Sequence, residues 1–226
     1  MRSTSPDGPL PVLLLVLTGV TGLVDAVSYL KLGHVFVANM TGNVVFLGFA
    51  VADAADFSIP ASVLAIAAFL AGALVGGRIG SSAGHHRARL LTITTYLQIA
   101  LVGAALVVSM VGAFVQYSLI ALLALAMGLQ NATARRLGVP DLTTTVLTLT
   151  LTGLAADSTL AGGKNPRPGR RLQATAVMFL GAAVGAYLVF QVGVIAVLVL
   201  AFALLVVNAI ASYRFRSSSE TWTVGA

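Results

Sequence analysis

Apolar residues follow one another along this chain in long stretches that short polar segments separate. Eight stretches stand out, at residues 11–30, 35–54, 60–80, 90–110, 115–132, 140–160, 172–190 and 193–212. An α-helix of about 20 residues, with a rise of about 1.5 Å per residue, crosses a hydrocarbon core about 30 Å thick. The pattern therefore predicts an all-α polytopic membrane protein.

The composition points to the same class of protein. Apolar residues make up 58% of the chain and charged residues 9%, whereas a soluble domain is about half apolar and about a quarter charged. The net charge of +6 arises from basic residues in short loops, without interleaved aromatic residues. We therefore expect these residues to face the lipid bilayer and not nucleic acid.

Two of the eight stretches carry many polar side chains at membrane depth. The second contains Asn39, Thr41 and Asn43, and the sixth contains the run TTTVLTLTLTGL, whose alternating threonines resemble a strand. A single strand in lipid would leave its backbone groups unpaired. We therefore expect helix in this run, or irregular backbone that is buried within the protein.

Similarity between distant segments indicates an internal repeat. The matching pairs are GLVDAVSYLKLG with GLQNATARRLG, MTGNVVFLG with LTTTVLTLT, and AGALVGG with LGAAVGA. The pairs follow in the same order and at nearly the same offset along the chain. We therefore interpret the chain as a single membrane domain, residues 1–226, built from two related halves at 11–110 and 115–212.

The lysines and arginines discriminate between topologies, because basic residues favour the cytoplasmic side. If all eight stretches cross, seven basic residues lie on one side and six on the other. If the second and sixth stretches instead enter and return on the same side, only Lys31 lies outside. The other twelve are then cytoplasmic: Arg2, Arg78, Arg87, Arg89, Arg135, Arg136, Lys164, Arg167, Arg170, Arg171, Arg214 and Arg216.

This arrangement predicts six spanning helices plus two re-entrant or broken segments. Three spans in each half give the halves opposite orientations, so the repeat is inverted and the two re-entrant segments approach the midplane from opposite faces. The tails, residues 1–10 and 214–226, are then both cytoplasmic. Seven or eight full spans are the alternative.

Three motif blocks resemble a known family. GLVDAVSYLKLGHVFVANMTGNVVFLG, AMGLQNATARRLGVPDLTTTVLTLTLTGLAAD and AGALVGGRIG are similar to blocks of the YoaK-like bacterial membrane proteins, over roughly residues 11–212. The resemblance implies a multi-pass protein of the bacterial inner membrane. It implies no established activity, although transport is a common suggestion for the family.

Asp25 lies well inside the first spanning stretch, where a charged side chain costs several kcal/mol and so indicates a functional site. It belongs to a stripe of small and polar residues spaced three and four apart: Thr18, Thr21, Gly22, Asp25 and Ser28. This spacing turns Asp25 toward the protein. Asp25 can bind a cation or proton there, or it can hold the second-half loop by hydrogen bonds or pair with Lys31 or Arg78.

Amides and hydroxyls complete the candidate site, and Asn131 takes the place of Asp25 in the second half. We hypothesise a substrate or ion site formed by Asp25, Asn39, Thr41, Asn43, Gln130, Asn131, Thr143, Thr144 and Thr145. Apart from Asp25, these groups carry no charge and suit a neutral or zwitterionic solute or a desolvated cation. The alternative for the threonines is a hydroxyl bonded back to its own helix.

Glycines recur at every fourth position in the third and seventh stretches. They are Gly72, Gly76 and Gly80 in the first half and Gly181 and Gly185 in the second. Such faces let helices approach closely. We expect these two helices to cross inside one molecule, and a homo-oligomer through these faces is the alternative.

Catalytic motifs are not found in the sequence. It contains no cysteine, no Ser-His-acid set at membrane depth, no pair of intramembrane carboxylates and no Gly-rich phosphate loop. We therefore expect no enzyme, no cofactor and no metal site, and interpret the protein as a small-solute transporter or channel. The alternative is a non-transporting scaffold or assembly protein whose polar centre is structural.

Overall fold

The computed structural model describes residues 7–82, 86–112, 115–142, 144, 147–164, 167–215 and 221–223. The α-helices are α1 Leu10–Lys31, α2 Met40–Val51, α3 Ile59–Ser82, α4 Arg87–Val111, α5 Val115–Leu137, α6 Leu147–Ala156, α7 Pro168–Gln191 and α8 Val194–Tyr213. Two short 3₁₀ turns lie at Thr159–Ala161 and Thr221–Thr223. The predicted all-α fold is confirmed.

Six of these helices are long and apolar enough to span a membrane, namely α1, α3, α4, α5, α7 and α8. The other two, α2 and α6, have 12 and 10 residues. At about 1.5 Å per residue they reach only about half of a hydrocarbon core. The structure therefore has six spans and two short broken segments, and not the seven or eight full spans of the alternative.

Prolines mark the beginning of three spanning helices. Pro11 is near the start of α1, Pro60 is the second residue of α3 and Pro168 is the first residue of α7. Proline suits this position because the first N–H groups of a helix have no partner within the helix.

Contacts between helix ends define two ends of the bundle. At one end, the carboxylate of Asp7 forms ion pairs with Arg170 at 3.0 Å and Arg87 at 3.5 Å, which joins the starts of α1, α7 and α4. We call this the basic end. At the opposite end, which we call the Lys31 end, the side-chain amide of Gln116 donates to the carbonyl of Leu32 at 3.0 Å.

The two short helices belong to hairpins that enter the bundle from opposite ends. In the first hairpin, residues 32–58, the ring Nδ1 of His34 lies 3.2 Å from the carbonyl oxygen of Asp56. In the second hairpin, residues 138–167, Asp141 and Asp157 both form ion pairs with Arg171. Each hairpin therefore begins and ends on one side, the first at the Lys31 end and the second at the basic end.

Glycines let α3 lie directly against α5. Gly72 faces the carbonyl of Leu125, and Gly128 faces the carbonyl of Phe69. A methyl group at either glycine would overlap that oxygen. Gly76 meets the carbonyl of Leu129, so the backbones touch over several turns. Nearer the basic end, Gly80 lies beside the side chain of Arg136.

The same kind of contact joins α1 to α7. Gly22 faces the carbonyl of Met178, Gly181 faces the carbonyl of Gly19, and Gly185 lies against Leu23. The two glycine-rich helices α3 and α7 thus pack within one chain, but each packs on the first helix of the other half instead of on its counterpart. The remaining helices, α4 and α8, pack on each other and on α5 and α1 respectively.

Candidate functional site

Asp25 holds the irregular backbone that precedes α2. It is 5% exposed, and its Oδ1 accepts hydrogen bonds from the N–H groups of Val37 at 3.1 Å and Ala38 at 2.9 Å. Non-helical backbone at membrane depth needs such partners. The structural role predicted for Asp25 named the wrong partners. The carboxylate holds the loop of its own half, and it forms no ion pair with Lys31 or Arg78 among the described residues.

Asn43 locks the same segment from the other side. Its Nδ2 donates to the carbonyl of Phe36 at 2.6 Å, and its Oδ1 accepts from the N–H of Phe36 at 2.8 Å. The side chain is fully buried. Both ends of the amide are thus used inside the first hairpin, and Asn43 does not offer a free group to a solute.

Asn39 and Thr41 lie at the beginning of α2 and are exposed to cavities. The first cavity, of about 400 Å³, is lined by Asp25, Asn39 and Thr148 together with apolar residues of α1 and α7. We call it the Asp25 cavity. A neighbouring cavity of about 480 Å³ is lined by Asn39, Thr41, Thr148 and Asn131, and we call it the hairpin cavity. The two cavities share Asn39 and Thr148.

A third and larger cavity, of about 1360 Å³, lies between α3 and α5 near the basic end. Arg78, Arg135 and Arg136 line it, and we call it the basic cavity. It shares Phe69 and Asn131 with the hairpin cavity. The three cavities therefore adjoin one another in a row that leads from the basic end to Asp25.

Aromatic rings lie beside this row toward the Lys31 end. The cluster consists of Tyr29, His34, Phe36, Phe46, Phe49 and Phe57. Tyr29 and Phe36 stack with ring centres 5.1 Å apart and line the Asp25 cavity. Phe46 and Phe57 stack at the same distance and join the middle of α2 to the loop after it. Sequence reasoning missed this cluster, because its members are spread from α1 to the loop after α2 and share no spacing.

Two predicted site residues of the second half lie apart from the cavities. Gln130 is fully buried, and its Nε2 donates to the hydroxyl of Thr21 at 2.8 Å and to the carbonyl of Leu17 at 3.3 Å. It joins α5 to α1. Thr144 is 4% exposed, has a φ of +63°, and has a hydroxyl without a partner among the described residues. Thr143 and Thr145 lie outside the described residues.

Thr148, which was not among the predicted site residues, lines both the Asp25 cavity and the hairpin cavity. It stands in the alternating run of the sixth stretch, and this alternation is the signal that could have identified it. α6 begins only at Leu147, so Thr148 is in its first turn, just as Thr41 is in the first turn of α2. The two helix starts therefore face each other across the hairpin cavity.

Arg171 organises the second hairpin, a role that sequence reasoning also missed. It is 8% exposed; its Nε lies 2.9 Å from Asp141 and its Nη2 lies 2.8 Å from Asp157. Its Nη1 donates to the carbonyl of Gly153. One guanidinium of α7 thus ties together the two ends of the second hairpin and the end of α6. The planar fork of arginine suits such a site.

Comparison with known proteins places the chain in a family. Residues 13–211 match the family described as "Protein of unknown function (DUF1275)". The UPF0700 transmembrane protein YoaK of Bacillus subtilis (strain 168) is 35% identical over 147 residues, an alignment that covers 64% of this chain and 65% of the relative. No solved structure matches the chain. The resemblance to YoaK-like membrane proteins is confirmed, and the chain belongs to the DUF1275 family.

Proposed function

We propose that the protein is a small-solute transporter of the bacterial inner membrane. The observation that carries this proposal is the row of three cavities, which reaches Asp25 from the basic end and stops at the aromatic cluster. A transporter exposes its site to one side of the membrane at a time, and the site lies where short helices meet near the midplane. A simple channel would need a second opening, at the Lys31 end.

The contacts between the halves support an inverted repeat. Gly22 and Gly128 are equivalent positions of the two halves, and they face the carbonyls of Met178 and Phe69, which are equivalent in turn. Gly72 and Gly181 are likewise equivalent, and each faces a carbonyl of the first helix in the other half. Equivalent positions thus make equivalent contacts, as expected when the two halves are related by a two-fold rotation about an axis that lies in the membrane plane.

The same correspondence relates the Asp25 cavity to the basic cavity. Asp25 and Met178 line the first, and their counterparts Asn131 and Phe69 line the second. The two cavities differ in volume, with about 400 Å³ for the Asp25 cavity, beside the first hairpin, and about 1360 Å³ for the basic cavity. In the alternate state the two halves would exchange roles, so that the Asp25 cavity opens toward the Lys31 end and the basic cavity closes.

The groups around the hairpin cavity indicate the class of solute. Asn39 and Asn131 supply amides, and Thr41 and Thr148 supply hydroxyls. Among the described residues, Asp25 is the one acidic residue that lines any of the three cavities. The set suits a neutral or zwitterionic solute, or a cation. The volumes of about 400 and 480 Å³ fall within the range of about 300–1,000 Å³ for small-ligand sites.

The orientation follows from the basic residues. The described arginines lie at or near the basic end, whereas Lys31 is at the other end. By the positive-inside rule the basic end faces the cytoplasm. Both tails are then cytoplasmic, because α1 begins and α8 ends at the basic end.

A non-transporting scaffold is the second candidate. The full use of Asn43 and the bonds of Asp25 inside the first hairpin favour it, because these groups serve the fold. The two candidates differ in the hydration of the site, because a transporter needs a hydrated path from one side of the membrane to Thr148 and a scaffold does not.

Single cysteines distinguish the two candidates, since the chain has no natural cysteine. Thr148→Cys should react with a membrane-impermeant thiol reagent from the cytoplasmic side, in inverted vesicles. Arg89→Cys, at an exposed site of the basic end, is the positive control. Thr95→Cys, fully buried in α4, is the negative control. If Thr148→Cys is as unreactive as Thr95→Cys, the scaffold is favoured and the transporter is contradicted.

A further inference from the structure

We propose that the basic cavity binds a phosphate-bearing anion. Three guanidinium groups, from Arg78 at the end of α3 and from Arg135 and Arg136 at the end of α5, line this cavity. No acidic residue is among the described residues that line it. Guanidinium groups bind phosphate with paired N–H donors, so the cavity has the chemistry of an anion site.

The three arginines form no ion pair with an acidic side chain of the described residues, a property that they share with Arg89, Arg167 and Arg214 at the same end. Among the described residues Arg87, Arg170 and Arg171 all form ion pairs, with Asp7, Asp141 or Asp157. No acidic side chain within the described ranges pairs with Arg78, Arg135 or Arg136. The described acidic residues thus leave the charge of the cavity unpaired, and Arg78, Arg135 and Arg136 differ from the other unpaired arginines of this end because they line one cavity.

Close helix approach positions one of these side chains. Because residue 80 is glycine, the stem of Arg136 lies against α3: a Cβ at position 80 would be 3.3 Å from Cγ of Arg136. Arg136 therefore crosses from α5 toward α3, where Arg78 stands one turn from the helix end. Arg78, Arg135 and Arg136 line one cavity, and all three are exposed.

The arginines are not a requirement of helix packing. In the Asp25 cavity, which corresponds to the basic cavity in the other half, Tyr29 and Leu30 stand where Arg135 and Arg136 stand. The α1–α7 contact forms without basic residues at these positions. The positive-inside rule explains basic residues at this end of the bundle. It does not require them to line a cavity.

Two sources can supply a phosphate anion here. One wall of the cavity is apolar, with Phe69, Leu74 and Val139, and Leu74 is 69% exposed on the outer surface of α3. A phospholipid could place its headgroup on the arginines and a chain along Leu74, since basic pockets between helices on the cytoplasmic side suit anionic headgroups. Free phosphate or a soluble phosphate ester would use the arginines alone. Neither source depends on transport, and a scaffold would bind the same anion.

The first arm of the test uses lipid. Purified protein in detergent is mixed with phosphatidylglycerol or phosphatidylcholine, and retained lipid is counted by native mass spectrometry. The cavity variant Arg135→Gln with Arg136→Gln is compared with the matched variant Arg89→Gln with Arg214→Gln, which removes the same charge at the same end outside the cavity. Removing two basic groups should weaken retention of phosphatidylglycerol about tenfold or more, whereas the matched variant should retain it.

The second arm uses inorganic phosphate on the wild-type protein, stripped of lipid, with chloride at equal ionic strength as the control. If phosphate raises the midpoint of thermal unfolding and chloride does not, the soluble source is indicated. Selective retention of phosphatidylglycerol indicates the lipid source. This arm does not depend on the folding of any variant. If neither anion binds selectively, or if the cavity and matched variants respond alike to the anion that the wild-type protein binds, the proposal is overturned.

Discussion

The carboxylate of Asp25 accepts a hydrogen bond from the backbone N–H of Ala38 at 2.9 Å. The first spanning helix therefore holds the irregular segment that leads into α2. The same oxygen also accepts from Val37. A buried carboxylate is costly in a membrane helix, and here it offsets the cost of two N–H groups that have no helical partner. The residue that marks the candidate site is therefore also a residue that the first hairpin needs.

Replacing Asp25 by asparagine should loosen the segment before α2 while the helices stay folded. The amide oxygen of asparagine still accepts hydrogen bonds, but a bond to a charged group contributes about 1.5–3 kcal/mol and a neutral one about 0.5–1.5 kcal/mol. Hydrogen exchange at Val37 and Ala38 should therefore become about tenfold faster or more. Asp53→Asn, at an exposed carboxylate of the Lys31 end, is the control. Equal exchange in the two variants would contradict the role given to Asp25.

Replacing Gly72 by alanine should destabilise the bundle, because the new methyl group would overlap the carbonyl of Leu125. Overpacking of this kind costs about 1–3 kcal/mol. Gly77 lies on the same helix with nothing within 4 Å of its ideal Cβ, so Gly77→Ala should be neutral or stabilising by about 0.5–1 kcal/mol. Thermal unfolding in detergent measures both. Gly181→Ala should resemble Gly72→Ala, and a midpoint like that of Gly77→Ala would argue against the equivalence of the two halves.

Much of the architecture could be predicted from the sequence, because the lipid bilayer constrains the length of the helices and the placement of charged residues. The length of an apolar run fixes whether a helix can span, and the cost of moving basic residues across the membrane fixes on which side each loop lies. The second and sixth stretches were therefore predicted to be re-entrant or broken from the distribution of charge alone. The glycine spacing likewise indicated two close helix contacts, although it did not indicate which helix each face would meet.

The site was predicted only in part, because the direction of a polar side chain depends on its neighbours in space. Asp25, Asn39, Thr41 and Asn131 line the cavities. Asn43 belongs to the same sequence pattern as Thr41, yet its amide binds the backbone of Phe36, at the other end of the irregular segment. The spacing of polar residues along the sequence does not predict such a contact. The two acidic partners of Arg171 stand before and after α6 in the chain, and their pairing appears only when the second hairpin folds back on α7.

Replacing Arg171 by glutamine should release the second hairpin. The side chains of Arg171 and Asp141 are only 9% and 16% exposed, and removing one partner of such an ion pair leaves the other charge uncompensated. Asp157→Asn should cost less, under about 1 kcal/mol, because its side chain is 47% exposed. Arg167→Gln, at an exposed position beside α7, is the matched control. Thermal unfolding and hydrogen exchange over α6 measure the effect, and an Arg171→Gln variant as stable as Arg167→Gln would remove Arg171 from its central role.

Opening the aromatic cluster should make the candidate site reachable from the Lys31 end. Position 39 lines the Asp25 cavity, and if the aromatic cluster closes this cavity, Asn39→Cys should resist an impermeant thiol reagent added from the side of the Lys31 end. Phe36→Ala removes the ring that stacks on Tyr29 at 5.1 Å and should raise the rate of labelling at position 39, since the cover over this cavity is then incomplete. Phe49→Ala removes a ring of the same cluster that does not line the cavity and is 44% exposed, so labelling should stay slow. Equal labelling rates at position 39 in the Phe36→Ala and Phe49→Ala variants would mean that the cluster stabilises the first hairpin without closing a path. The one-sided access on which alternating transport depends would then be contradicted.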